Sequence, residues 1–173
     1  MGYQLKQLFE IYKRKLDMSD HPKGTYISAT LSKKSQDDLD KWVTEHNIPN
    51  PSEPSEYHST LIYSRKGIPD AKNYDIPLPM KSKIKGWKIF PTQAGGNCLV
   101  AIMDSPEMTK HHKTIRKEYG ATHDYPEYHP HVTISYDYGD LPVPKEVPDL
   151  ELEYDDTEFK PLDPDFVPPK KSD

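Results

Sequence analysis

Two histidines in this 173-residue chain stand in matching company. Tyr57-His58-Ser59-Thr60-Leu61-Ile62-Tyr63 and Pro130-His131-Val132-Thr133-Ile134-Ser135-Tyr136 each place a threonine two residues after the histidine and a tyrosine five residues after it. Imidazole ordinarily titrates near pH ~6.5, so one copy can be neutral while the other holds a proton. Concerted acid–base catalysis needs that division. The neutral ring takes a proton from an attacking oxygen and the charged ring gives one to the leaving oxygen. A threonine hydroxyl beside each ring suits a nonbridging phosphoryl oxygen as charge gathers there. Phosphodiester cleavage would use all four side chains: His58, Thr60, His131 and Thr133.

A histidine and a threonine two residues apart share a side only on a strand, where side chains alternate. Strict alternation sets His58, Thr60 and Ile62 against Ser59, Leu61 and Tyr63. In the second copy it sets His131, Thr133 and Ser135 against Val132, Ile134 and Tyr136. One such triplet arises often by chance, so its surroundings carry the weight. The histidines are 73 residues apart (131 − 58), and the same offset carries Thr25 onto Cys98 and Ser32 onto Ser105. Strand, helix and histidine strand thus occur twice in register. The repeat predicts two lobes, 24–66 and 97–137, related by a pseudo-twofold axis, with the histidine strands facing across a cleft.

The elements that must position these residues can be read in order. Gly24 opens a strand from Thr25 to Leu31, with Ile27, Ala29 and Leu31 on one face and Tyr26, Ser28 and Thr30 on the other. Ser35 with Asp38 predicts a capped helix running to His46, ended by the prolines of 49–54. Residues 67–79 read as loop, 81–90 as a strand, and Gly95-Gly96 as a turn into a strand over 97–104. Ser105-Pro106 starts a helix that Gly120 stops. A loop rich in His, Tyr and Pro leads to the second histidine strand, and residues 150–160 predict a last one. Ahead of the domain, which spans 24–160, the spacing of Leu5, Leu8, Phe9, Tyr12 and Leu16 predicts an amphipathic helix over 3–17 within an N-terminal segment 1–23. From 161 to 173 proline and charge predict an extended, weakly ordered tail.

Composition narrows the partners. A net charge of −5 argues against a long nucleic acid, which is held through many phosphate contacts from clustered Lys and Arg. A small phosphate-bearing ligand needs only a few local donors. The single cysteine, Cys98, excludes an intrachain disulfide, reads as a small core residue and suits a cytoplasmic location. No apolar run approaches membrane-spanning length, and the N-terminus reads as a polar helix, so no membrane partner is expected.

Three residues are candidate ligand contacts. Tyr26 lies on the polar face of its strand, where its ring would stack on a nucleobase, a contact worth about 1–3 kcal/mol. Trp87 shares parity with Lys81, Lys83 and Lys85, which marks it as a second stacking platform. Glu158, in the last strand, would accept from a base amino group. His111 and His112 are adjacent on a helix and cannot share a face. His129 and His131 would hold a metal only if a third ligand converged, with His123 and Asp124 nearest in sequence, so neither metal nor cofactor is expected.

With its paired HxT motifs on duplicated strands, the chain from about Gly24 to Lys160 resembles the two-histidine (2H) phosphoesterase superfamily. The resemblance implies an α+β, bilobal, duplicated fold in which two antiparallel sheets face a central cleft and helices cover the outside. It also implies metal-independent cleavage of phosphodiesters or cyclic phosphates, with His58, Thr60, His131 and Thr133 as the catalytic tetrad. Within the superfamily, the Gly24-Thr25-Tyr26-Ile27-Ser28 strand and the HPHVTISYD segment look most like phage anti-CBASS proteins, whose family hydrolyses the cyclic oligonucleotides that bacterial defence systems use as alarm signals. That likeness implies a cyclic di- or trinucleotide substrate, its bases sandwiched by aromatic rings, in the cytoplasm of an infected bacterium. Two alternatives stand beside it. An RNA end-processing enzyme acting on 2′,3′-cyclic or 2′–5′ phosphodiesters would share the tetrad but call for an extended basic approach path. A non-catalytic sponge for a cyclic nucleotide would not need two complete motifs. Ring size, base preference and oligomeric state stay open.

Overall fold

The computed structural model describes residues 21–92 and 94–162; the helix expected over 3–17 and residues 163–173 of the tail lie outside them. In chain order the elements are β1 (Thr25–Leu31), α1 (Lys33–Glu45), β2 (His58–Ser64), β3 (Met80–Pro91), β4 (Asn97–Asp104), α2 (Pro106–Tyr119), β5 (His131–Ser135) and β6 (Glu151–Pro161). The strands pair antiparallel in the order β1-β2-β5-β4-β3-β6 and close on themselves. The two expected sheets are the two sides of this ring, β6-β1-β2 and β3-β4-β5. On one edge β3 and β6 join them over four residue pairs, from Met80↔Tyr154 to Lys83↔Glu151. On the other edge β2 and β5 meet at a single pair, Ser59↔Val132, between the two motifs.

Alternation in β1 works as the sequence implies: Ile27, Ala29 and Leu31 are buried, while Tyr26 and Thr30 are half-buried. Leu99, Ala101 and Met103 of β4 join the same core. Tyr154 of β6 sits at its centre, its hydroxyl hydrogen-bonded to Ser59 Oγ at 2.7 Å and accepting from Ser82 Oγ at 3.2 Å. A buried phenol keeps its hydroxyl only where it finds such partners. α1 packs through Leu39 and Val43, and α2 through Met108, His112 and Ile115.

Both helices begin at a serine, and the two serines are 73 residues apart. Ser32 Oγ accepts from Ser35 N at 3.2 Å, and Ser105 Oγ accepts from Met108 N at 3.3 Å. Ser35, expected as the first cap, is instead buried in the first turn, where its hydroxyl accepts from Glu153 N at 2.8 Å. The helix ends at Glu45, with His46 as its C-terminal cap. Gly120 ends α2 with φ +73°, a left-handed conformation that glycine adopts without a Cβ penalty.

Strict alternation fails in both histidine strands, at places again 73 residues apart. Ser28 pairs with Thr60 and Ile27 with Ile62, which leaves Leu61 without an opposite number. Val100 pairs with Thr133 and Leu99 with Ser135, which leaves Ile134 in the same position. An extra residue reverses the parity of everything beyond it. Ile62 and Ser135, expected beside the histidines, are therefore in the core at 1% and 0% exposure. Tyr63 and Tyr136, expected in the core, are half-buried on the histidine side.

Candidate active site

His58 and His131 are held in the same way. His58 Nδ1–H donates to the Glu56 carbonyl at 2.7 Å, and His131 Nδ1–H donates to the His129 carbonyl at 3.1 Å, each two residues back along the chain. A carbonyl can only accept, so each bond assigns the proton to Nδ1 and leaves Nε2 as the working nitrogen. Both rings are half-buried, as are Thr60 and Thr133, while the intervening Ser59 and Val132 are fully buried. With Ser59 opposite Val132, antiparallel order brings His58 toward Thr133 and Thr60 toward His131 across the β2–β5 seam.

Electrostatics favour the neutral form of His131. Burial lowers the pKa of His131, the His129 carbonyl pulls it back up, and nearby His58 and His129 push it down further. A neutral His131 is the result at pH 7.

Around the tetrad, register fixes which residues look the same way. On one side, Thr60, Ser28 and Glu158 lie in a row across three strands, as do His58, Thr30 and Asp156. The Tyr26 hydroxyl is hydrogen-bonded to Thr60 Oγ1 at 3.1 Å, its ring meets Tyr63 edge-on at 6.4 Å, and Lys160 Nζ stands 5.4 Å from its centroid. Glu158 forms an ion pair with Lys160 at 3.3 Å. On the other side, Thr133, Val100 and Lys88 form a row, and the Thr133 side chain acts electrostatically on the Tyr136 hydroxyl. Phe90 lies with its ring 6.3 Å from that of His131, and Lys88 Nζ is 4.9 Å from the Phe90 centroid.

Tyr26 and Glu158 are therefore brought to the tetrad's face, and Trp87 is not. Trp87 pairs with Ala101 and Ala101 with Val132, which puts the indole on the opposite side of the ring wall. It stacks on Trp42 of α1 at 5.3 Å and 20°, and its Nε1–H donates to the Glu146 carbonyl at 2.8 Å. The parity argument from Lys81, Lys83 and Lys85 fails because the β3 register shifts between Ile84 and Gly86. Phe90, 38% exposed, holds the place expected of Trp87. Its signal in the sequence is Gly86, a glycine inside a strand pattern, which marks the bulge that moves the parity. Tyr63 and Tyr136 are likewise announced by their common spacing from the histidines, which alternation alone assigns to the wrong face.

Other polar residues near the motifs are engaged elsewhere. His129 pairs with Glu127 at 3.2 Å, His123 Nε2–H donates to the Glu127 carbonyl at 3.0 Å, and Asp124 accepts from Arg65 through both oxygens. Among the described residues no three His, Cys, Asp or Glu side chains converge where they could hold a metal ion, and no helix is long and apolar enough to cross a membrane.

The site has counterparts among known proteins. A family model described as "Anti-CBASS protein Acb1" matches residues 23–168. A protein of that name from Vibrio phage KVP40 is 33% identical over 150 residues, covering 83% of this chain and 91% of the relative. Among solved structures, the protein TT0787 of Thermus thermophilus superposes with a TM-score of 0.56 at 14% identity over 78% of this chain and 86% of the other. E. coli LigT, in its complex with 3′-AMP, gives 0.51 at 14% identity over 82% and 96%. At that identity the structures show a shared α+β fold.

Proposed function

The chain belongs to the anti-CBASS protein Acb1 family, and from that premise we propose that it is a phosphodiesterase cleaving the 3′–5′ bonds of cyclic di- and trinucleotide defence signals by acid–base catalysis between His58 and His131. The observation that carries this reading is the matched pair of Nδ1–H bonds to the Glu56 and His129 carbonyls. They leave both Nε2 atoms uncommitted, on strands that each carry a threonine two residues on, with burial favouring the neutral form of His131.

His131 is the first base. Its Nε2 takes the proton of a ribose 2′-hydroxyl, and the 2′ oxygen attacks the adjacent phosphorus. The bond from phosphorus to the 5′ oxygen breaks, and His58 supplies the proton that the departing oxygen needs. Thr60 and Thr133 donate to the nonbridging oxygens as charge builds on them. The resulting 2′,3′-cyclic phosphate is opened by water with the two histidines exchanging roles, as microscopic reversibility requires. Tyr26 and Phe90 offer one ring on each side for stacking on bases, with Lys160 and Lys88 placed for the phosphates and Glu158 for a base amino group.

Incubation with a panel of cyclic di- and trinucleotides, linear 3′–5′ and 2′–5′ dinucleotides, followed by separation of products, tests the reading. Linearisation of the cyclic substrates is expected. Cleavage confined to linear or 2′–5′ substrates would assign the site to RNA processing, and recovery of intact bound ligand would make it a sponge.

A further inference from the structure

Beyond the single Ser59↔Val132 pair, the edge of β2 facing β5 lacks a strand to bond to. Backbone carbonyls left bare inside a protein are costly, so their partners matter. Two side chains supply them. The Tyr128 hydroxyl donates to the Thr60 carbonyl at 2.8 Å, and His112 Nδ1–H donates to the Leu61 carbonyl at 2.7 Å. The two rings stack face to face, 4.0 Å apart and 6° from parallel, and His112 is only 2% exposed. The other copy handles its bulge differently: the Ile134 carbonyl, 73 residues on from that of Leu61, accepts a backbone bond from Ser52 N at 2.7 Å.

Resting on the reading above, we propose that the stacked His112–Tyr128 pair is a positioning device for Thr60, replacing missing ladder bonds so that the bulge at Leu61 fixes the Thr60 hydroxyl and turns Tyr63 to the site. Neither residue touches the histidines of the tetrad in this role. Thr60 carries the bulge's first carbonyl, so the phenol bond acts on the backbone of the residue whose hydroxyl meets the substrate. The second copy closes its bulge through the Ser52 backbone instead.

Tyr128→Phe removes the donor and keeps the stacking ring. The expected result is a kcat about 10-fold lower with KM within about twofold, since a small misplacement of a contacting group costs rate before binding. In a Thr60→Val background the same substitution should cost nothing further. Equal losses in both backgrounds, or wild-type kcat in Tyr128→Phe, would overturn the proposal. A readout independent of activity separates this from failure of the enzymatic reading. Three-bond couplings in NMR should show Thr60 in one χ1 rotamer in the wild type and averaged rotamers in Tyr128→Phe. A single retained rotamer would refute the device whatever the protein cleaves.

Discussion

At the scale of the residue, chemistry here depends on which nitrogen of each ring carries the proton. Both histidines spend Nδ1–H on a carbonyl of their own strand entry, which keeps Nε2 available for the proposed proton transfers. The base role proposed for His131 has a consequence in pH. Its pKa lies below the ordinary imidazole value, and only the neutral form accepts a proton, so activity is lost as pH falls through that lowered pKa. The acid limb of kcat/KM is expected below pH ~6.5, and a limb clearly above it would assign the base elsewhere. Replacing Thr60 or Thr133 by valine keeps shape and removes the hydroxyl. Rates about 10- to 100-fold lower are expected for each, smaller than the loss of a ring, and steady-state kinetics would show it. A Phe90→Ala variant should raise KM and leave kcat largely unchanged, because its ring flanks His131 without carrying a proton.

At the scale of the element, two devices recur 73 residues apart: the serine cap and the one-residue bulge. Ser32→Ala should cost about 1 kcal/mol in urea unfolding, the usual worth of such a cap, without changing the pH profile. The capped second helix, the β4 strand and the histidine strands can be read directly, because Ser105-Pro106, Gly95-Gly96 and the continuous apolar run between Asn97 and Asp104 are strong local signals. The first cap is legible only through the repeat, since Ser35 with Asp38 imitates a capping box while Ser35 actually serves β6. Alternation places Tyr26 correctly on the site face. It misplaces Ile62, Ser135, Tyr63, Tyr136 and Trp87, all of which lie beyond a bulge. A bulge is a property of two strands in register, and alternation along one strand does not locate it; only Gly86 in β3 and the repeated tyrosine spacing hint at where the parity changes.

At the scale of the whole molecule, the ring of six strands explains why two halves meet so sparingly at the site. Four residue pairs join β3 to β6, and one joins β2 to β5, so the two histidine motifs meet where the ladder is thinnest. Side chains close that gap, and one of them titrates. Burial lowers the pKa of His112 to about 4, with the Leu61 carbonyl opposing and His123, Arg116 and Lys113 adding to the fall. The unfolded chain therefore binds a proton that the native state refuses between pH ~6.5 and 4. Stability from this residue is complete above the upper value and is lost as pH falls toward the lower one, and His131 contributes in the same direction. The urea midpoint should drop over that window, and His112→Gln should flatten the drop.

The most direct measurement is single-turnover cleavage of a cyclic dinucleotide by the wild type, His58→Ala and His131→Ala, each in EDTA and each shown to unfold cooperatively. The wild type should open the ring, with both variants slower by about 10²–10⁴-fold. Wild-type rates in either variant, or a wild type that is inactive until a divalent ion is restored, would contradict catalysis by the two histidines.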